Sequence, residues 1–290
     1  MIRIAVFLAS AMLLALLIGA RSADSRVADP FRVAWLTDEA AAHARAADAA
    51  LEAAEKLMHD ATDEARRGQA GIVGGPEDPT AALEAAGLAF EAAATPLADA
   101  HAALVVLGWT LRAIDPQESS PHLGLLPGDL VAVGAQWRAA APPSAALTDM
   151  RRQAESTLEA LNDGLAALDA DDPSAALDAM DRATGYLEQV GDFNGQLSTL
   201  GYWVDTVGAL IDAARGIALA AQAGDAAALA AAQAAYDAAA TNAGRADQAL
   251  TIALGEAATG ITSPASASSA AALRAVGATR DQLAGLSILR

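Results

Sequence analysis

The sequence predicts an all-α protein, an elongated antiparallel bundle of about six long helices, with stacked helical hairpins as a second arrangement. Three observations carry this expectation. Alanine, the best helix former and a poor strand residue, supplies 82 of the 290 positions. No segment shows the period-two alternation of β-branched and polar residues that marks a strand. Helix punctuation recurs instead, with acidic or Asp-Pro starts and basic or glycine ends.

The chain opens on Met1, Ile2 and Arg3, followed by an uncharged run from Ile4 to Ala20. A basic start, an apolar stretch and small residues at a cutting position predict a signal peptide over 1–22. Cleavage after Ser22 places Ala20 and Ser22 where signal peptidase requires small side chains. The run is slightly short for a membrane span, although an uncleaved N-terminal membrane anchor is the alternative. Both place the remaining chain outside the cytoplasm, secreted or associated with the cell envelope.

A long helical hairpin is expected over 31–115. Its first helix starts near Thr37, Asp38 and Glu39 and stops at Arg66, Arg67 and Gly68, basic residues followed by glycine. After a glycine-rich loop, Asp78 as N-cap and Pro79 at the first helical position open the second helix. That helix reaches about Ile114, with a bend near Pro96; its most apolar stretch, 102–109, is read as buried core.

A proline-rich linker with one short helix, 129–140, fills 116–144 and ends at Pro142 and Pro143. A four-helix segment over 145–260 follows, with helices at 145–168, 174–190, 196–222 and 226–258. A Ser/Ala/Pro linker and a short terminal helix complete the chain over 261–290. The start at Asp78, Pro79 and Thr80 returns almost intact at Asp172, Pro173 and Ser174, each leading into an Ala-Ala-Leu helix. Irregular spacing between the copies favours reused capping chemistry, with a duplicated helical hairpin as the alternative.

Charge and composition exclude several function classes. Asp and Glu total 36 against 18 Lys and Arg, a net charge of −18. A field of that sign repels nucleic acid and an anionic membrane surface. There is no cysteine, which removes a lipid-anchor cysteine, cysteine zinc sites and covalent haem attachment. Stability must then come from the core alone.

Catalytic constellations are missing as well. The histidines are His43, His59, His101 and His122. A di-iron bundle needs Glu three residues before His, where this chain has Ala40, Lys56, Ala98 and Ser119. His59 and Asp63 share a helix face, and His43 and His101 fall at similar heights of the expected hairpin. Each makes at most half a metal site. Asp169, Asp171 and Asp172 crowd one turn without the glycine and distal Glu of a calcium loop. Gly71 to Gly75 lacks the Lys-Ser/Thr of a phosphate loop. No cofactor, catalytic residue or metal ligand is therefore assigned.

One aromatic cluster stands out. Tyr186, Phe193, Tyr202 and Trp203 surround the turn at Gly191 and read as a ligand or partner patch. The competing reading is a bundle end sealed with large side chains where alanine cannot fill space. The expected function is a non-catalytic exported interaction or scaffold module with a protein partner. A small-molecule-binding bundle with an aromatic-lined pocket is the alternative, ahead of a hydrolase or metalloenzyme.

Overall fold

The computed structural model describes residues 30–193, 195 and 197–286, and the expected signal peptide lies outside them. The fold is an all-α helical bundle with closely packed helices. Six helices occur among the described residues: α1 (Pro30–Ile72), α2 (Pro79–Ile114), α3 (Pro127–Asp169), α4 (Pro173–Gly191), α5 (Leu200–Ala223) and α6 (Ala226–Ala284).

Burial along the long helices follows alternating steps of three and four, the spacing that keeps one face on a neighbour. In α1 the buried positions include Ala44, Ala47, Leu51, Ala54, Met58 and Ala61. In α2 they include Leu83, Ala86, Phe90, Ala93, Leu97 and Ala100. In α6 the same rhythm runs through Ala258, Thr262, Ala265, Ser269, Ala272 and Val276. Much of each seam is alanine, serine or threonine, so backbones approach closely and larger residues fill the gaps.

Four expected helix ends are corrected. The first helix begins earlier than Thr37, whose hydroxyl donates to the Val33 carbonyl one turn back at 2.9 Å. It also continues past Gly68 to Ile72. Gly68 is no stop signal: a Cβ there would lie 2.8 Å from Leu83 Cγ, so glycine permits close packing on α2. The chain turns later, at Gly74, where φ is +116°.

The short helix and the break at Pro142 and Pro143 are replaced by one helix, α3. Those prolines remove the bonds normally accepted by the carbonyls of Arg138 and Ala139. All four residues are exposed, on a face where water can satisfy the freed carbonyls. The expected 261–269 linker is likewise helical, inside α6 and through Pro264. Pro264 and Gly260, its partner four residues back, are both exposed, while Thr262 between them and Ala265 beside them are buried.

Other expectations match. The Asp78 carboxylate accepts from Thr80 N–H at 2.9 Å and opens α2. Asp172 accepts from Ala175 N–H at 3.0 Å and opens α4, with Pro173 inside its first turn. Asp225 accepts from the N–H groups of Ala227 and Ala228 at 3.0 Å each. It follows Gly224, which closes α5 at φ +67°.

The chain divides into two compact units. Unit 1 is Met1–Ala61, Leu88–Gly134 and Ala267–Arg290. In it Arg280 of α6 reaches α1, donating from Nε to Asp48 at 2.9 Å and from a terminal nitrogen to Glu55 at 2.6 Å. Glu52 lies 3.7 Å from the same guanidinium. The hydrogen bonds to Asp48 and Glu55 hold the Arg280 pKa above its ordinary value, against a smaller opposing effect of burial.

Unit 2 is Thr62–Gly87 and Ala135–Ser266. Its core gathers Met150, Met180, Leu200, Trp203, Ile211 and Leu250 among others. Gly164 of α3 lets the Met180 side chain of α4 lie against its backbone. Gln69 of α1 donates to Thr262 at 2.8 Å and Ser266 at 3.3 Å, which ties the serine-rich stretch of α6 into the packing. Arg215 bridges α5 to α4 through Asp181 at 2.5 Å.

Candidate functional site

The four aromatic residues read as a patch separate in the structure. Trp203 is wholly buried, and its indole N–H donates to Asp247 at 3.4 Å. Tyr186 and Phe193 are partly buried and packed on the same core, while Tyr202 is 51 % exposed. Trp203 and Tyr202 are consecutive on α5, so they face different directions. The geometry favours the packing reading: three of the four close the interior, and one faces outward.

The histidine pairings also dissolve. His59 lies 3.9 Å from Glu55, while Asp63 takes Arg66 at 2.9 Å. His43 lies 3.5 Å from Glu39. His101 uses Nε2 on the Leu125 carbonyl at 2.6 Å, the carbonyl-bonded imidazole typical of a packed rim. The Asp-rich turn is a capping turn, in which Asp171 takes the left-handed conformation (φ 58°) that aspartate tolerates better than most residues. Among the described residues no group of three or more His, Asp or Glu side chains is arranged to hold a metal ion.

Two clefts remain. In unit 2 a cleft of about 450 Å³ lies between the Gly71–Thr80 turn and α3. Its charged lining is mixed, with Glu77, Asp78 and Asp149 beside Arg151 and Arg152. Both arginines are already paired, Arg152 with Asp149 at 3.0 Å and Arg151 with Glu155 at 2.6 Å. The buried Nε of Arg151 has no hydrogen-bond partner among the described residues. Neither sign of ligand charge is favoured here.

In unit 1 a groove of about 210 Å³ runs between α2 and the loop that follows it. The helix wall is one stripe of α2, with His101, Leu104, Val105, Gly108, Trp109 and Arg112 at helical spacing. The loop wall is Ser120, Pro121, His122 and Leu123. Val105 is 50 % and Trp109 47 % exposed, which corrects the expectation that 102–109 is buried core. The buried stripe is Leu104, Leu107 and Leu111, and Val105, Trp109 and Arg112 are turned away from it toward solvent. Spacing alone separates the two sets, once the buried register of α2 is fixed by Phe90, Leu97 and Leu104.

The loop wall is pinned in place. His122 N–H donates to Gln282 of α6 at 3.1 Å, and its carbonyl accepts from Thr279 at 3.4 Å. The Leu125 carbonyl is held by His101. Glycine at 108 lets the loop close on the helix, since a Cβ there would lie 2.9 Å from Ser120 Oγ. The groove is therefore set before any occupant arrives.

Its electrostatics differ from the rest of the chain. In a protein with twice as many acidic as basic residues, no carboxylate lines this groove. Its ionisable side chains are Arg112, His101 and His122. Arg112 is exposed and has no ion-pair partner among the described residues.

Compared with known proteins, the chain matches no family model, no curated protein and no solved structure.

Proposed function

We propose that this chain is a non-catalytic, exported interaction module whose docking face is the α2 groove of unit 1. One observation carries the reading: Val105, Trp109 and the unpaired Arg112 stand exposed on one helix stripe beside a pinned loop. Exposed tryptophan and arginine at the centre of a patch are the residues that dominate binding energy at protein interfaces. Export rests on the apolar leader at 1–22, with the N-terminal anchor as its variant, and a protein partner suits a rigid helical surface. The net charge of −18 disfavours nucleic acid and anionic lipid. The small-molecule alternative centred on Tyr186, Phe193, Tyr202 and Trp203 loses support because Trp203 belongs to the core.

A photo-crosslinking side chain placed at Trp109, expressed in the native cells, tests the reading. A discrete protein adduct is expected there, and none from the same side chain at Ile252, which is 56 % exposed in unit 2. Equal, diffuse labelling from both positions overturns the docking face.

A further inference from the structure

The chemistry of the groove goes further than the presence of a docking face, and names what docks. We infer that the unit 1 groove receives a peptide segment presenting a carboxylate within two residues of a large apolar side chain. The inference rests on the proposed docking reading and adds the class of partner to it.

Three features combine. The first is size. About 210 Å³ is below the range of clefts that enclose a whole drug-sized ligand, and it suits a single anchoring side chain. The second is the apolar wall. Val105 and Trp109 are each about half exposed above the buried floor residues Leu104 and Leu123, so an inserted aromatic or leucine side chain contacts apolar surface on several sides. The third is charge. Every ionisable group lining the groove is a base, in a chain whose acidic excess would otherwise repel an acidic segment. That exception makes the groove the acceptor for negative charge, through complementarity that favours one sign of partner over the other.

Spacing sets the motif. Trp109 and Arg112 are three residues apart on α2, about 4.5 Å along the helix axis. An extended peptide advances about 3.3 Å per residue. A carboxylate on Arg112 and an apolar side chain on Trp109 therefore come from adjacent or next-but-one residues. Arginine offers a planar fork that takes a carboxylate with two hydrogen bonds, so a lysine substitute is a poor one. Because the loop wall is already tied to α6 and α2, little ordering is lost when the segment binds.

Fluorescence polarisation with the full mature chain tests this. The probe is a labelled, acetylated and amidated peptide with a central phenylalanine flanked by aspartates. Saturable binding is expected, weakening as salt is added. Replacing the aspartates by asparagines, or the phenylalanine by alanine, is expected to weaken binding by at least about ten-fold. Trp109→Ala and Arg112→Gln should each do the same with circular dichroism unchanged. Arg245→Gln, an exposed cation of unit 2, should have no effect. Absence of saturable binding, equal binding of a lysine-flanked peptide, or undiminished binding to Trp109→Ala overturns the inference. A failed peptide with a discrete crosslink at Trp109 rejects the acidic segment and keeps the docking face. A bound peptide without any crosslink supports the groove's chemistry and rejects the proposed cellular role.

Discussion

The four tryptophans divide evenly between the two units, and they divide by exposure as well. In unit 2, Trp137 and Trp203 are 2 % and 0 % exposed; in unit 1, Trp35 and Trp109 are 46 % and 47 % exposed. Seven of the eleven large apolar residues exposed among the described residues also belong to unit 1. An indole is the largest apolar surface a side chain offers, so hiding it stabilises a fold and showing it serves recognition. The difference puts the buried indoles in unit 2 and leaves unit 1 with more exposed apolar surface, the distribution that the proposed docking role requires.

The sharpest way to break this comparison is to delete one indole from each unit. Trp203→Ala is expected to cost about 3–5 kcal/mol, because it leaves a cavity in the unit 2 core and strands the Asp247 partner. Trp109→Ala should change stability by less than about 0.5 kcal/mol, as for an ordinary surface position. Denaturant melts of the two variants make the comparison. Equal losses would mean that Trp109 is a packing residue after all.

A smaller effect is expected from the ion clusters. Arg280→Gln in unit 1 breaks two charged hydrogen bonds and leaves Asp48, Glu52 and Glu55 repelling each other on successive turns of α1. About 1–2 kcal/mol is expected, shrinking with added salt. Arg215→Gln in unit 2 loses one pair with the largely exposed Asp181 and should cost less than about 1 kcal/mol. The reverse order in thermal melts would show that the cluster is no more than three independent surface pairs.

The smallest expected effect lies at high pH. Burial, with a further push from Asp237, raises the Tyr236 pKa above its ordinary value. The unfolded phenol then ionises before the folded one. This stabilising contribution is complete below about pH 10 and fades as pH rises through the folded pKa. Phenolate absorbance during an alkaline titration should show one tyrosine lagging behind free tyrosine until unfolding. Loss of that lag in Asp237→Asn would reverse the order of the two causes.

Most of the fold was legible because the Asp-Pro starts, the alanine content and the leucine spacing are local signals that packing did not override. The helix ends at Gly68, Pro142, Pro143 and Pro264 were misread for one shared reason. A glycine or proline breaks a helix in isolation, yet Gly68 is used for a close approach to Leu83 and the prolines sit on exposed faces. Only the packed partner and the exposed side reveal that. The candidate site was less legible. Tyr186, Phe193 and Trp203 cluster in sequence because they build one core, whereas the groove joins α2 to a loop and depends on Gln282, 160 residues away from His122.

The α6 seam through Thr262, Ala265, Ser269 and Ala272 carries a consequence for how this chain can vary. In an ordinary core, trimming a large side chain costs most, and enlarging one costs somewhat less. Here the buried positions are already close to the smallest available, and there is little left to trim. Substitution to leucine or phenylalanine at these sites would force neighbouring backbones apart, while exchange between alanine and serine would cost far less. A mutational scan of α6 would therefore show its tolerance inverted. Hydrophobic gains would be depleted along the seam, and descendants of this sequence would drift within the small residues without crossing to the large ones.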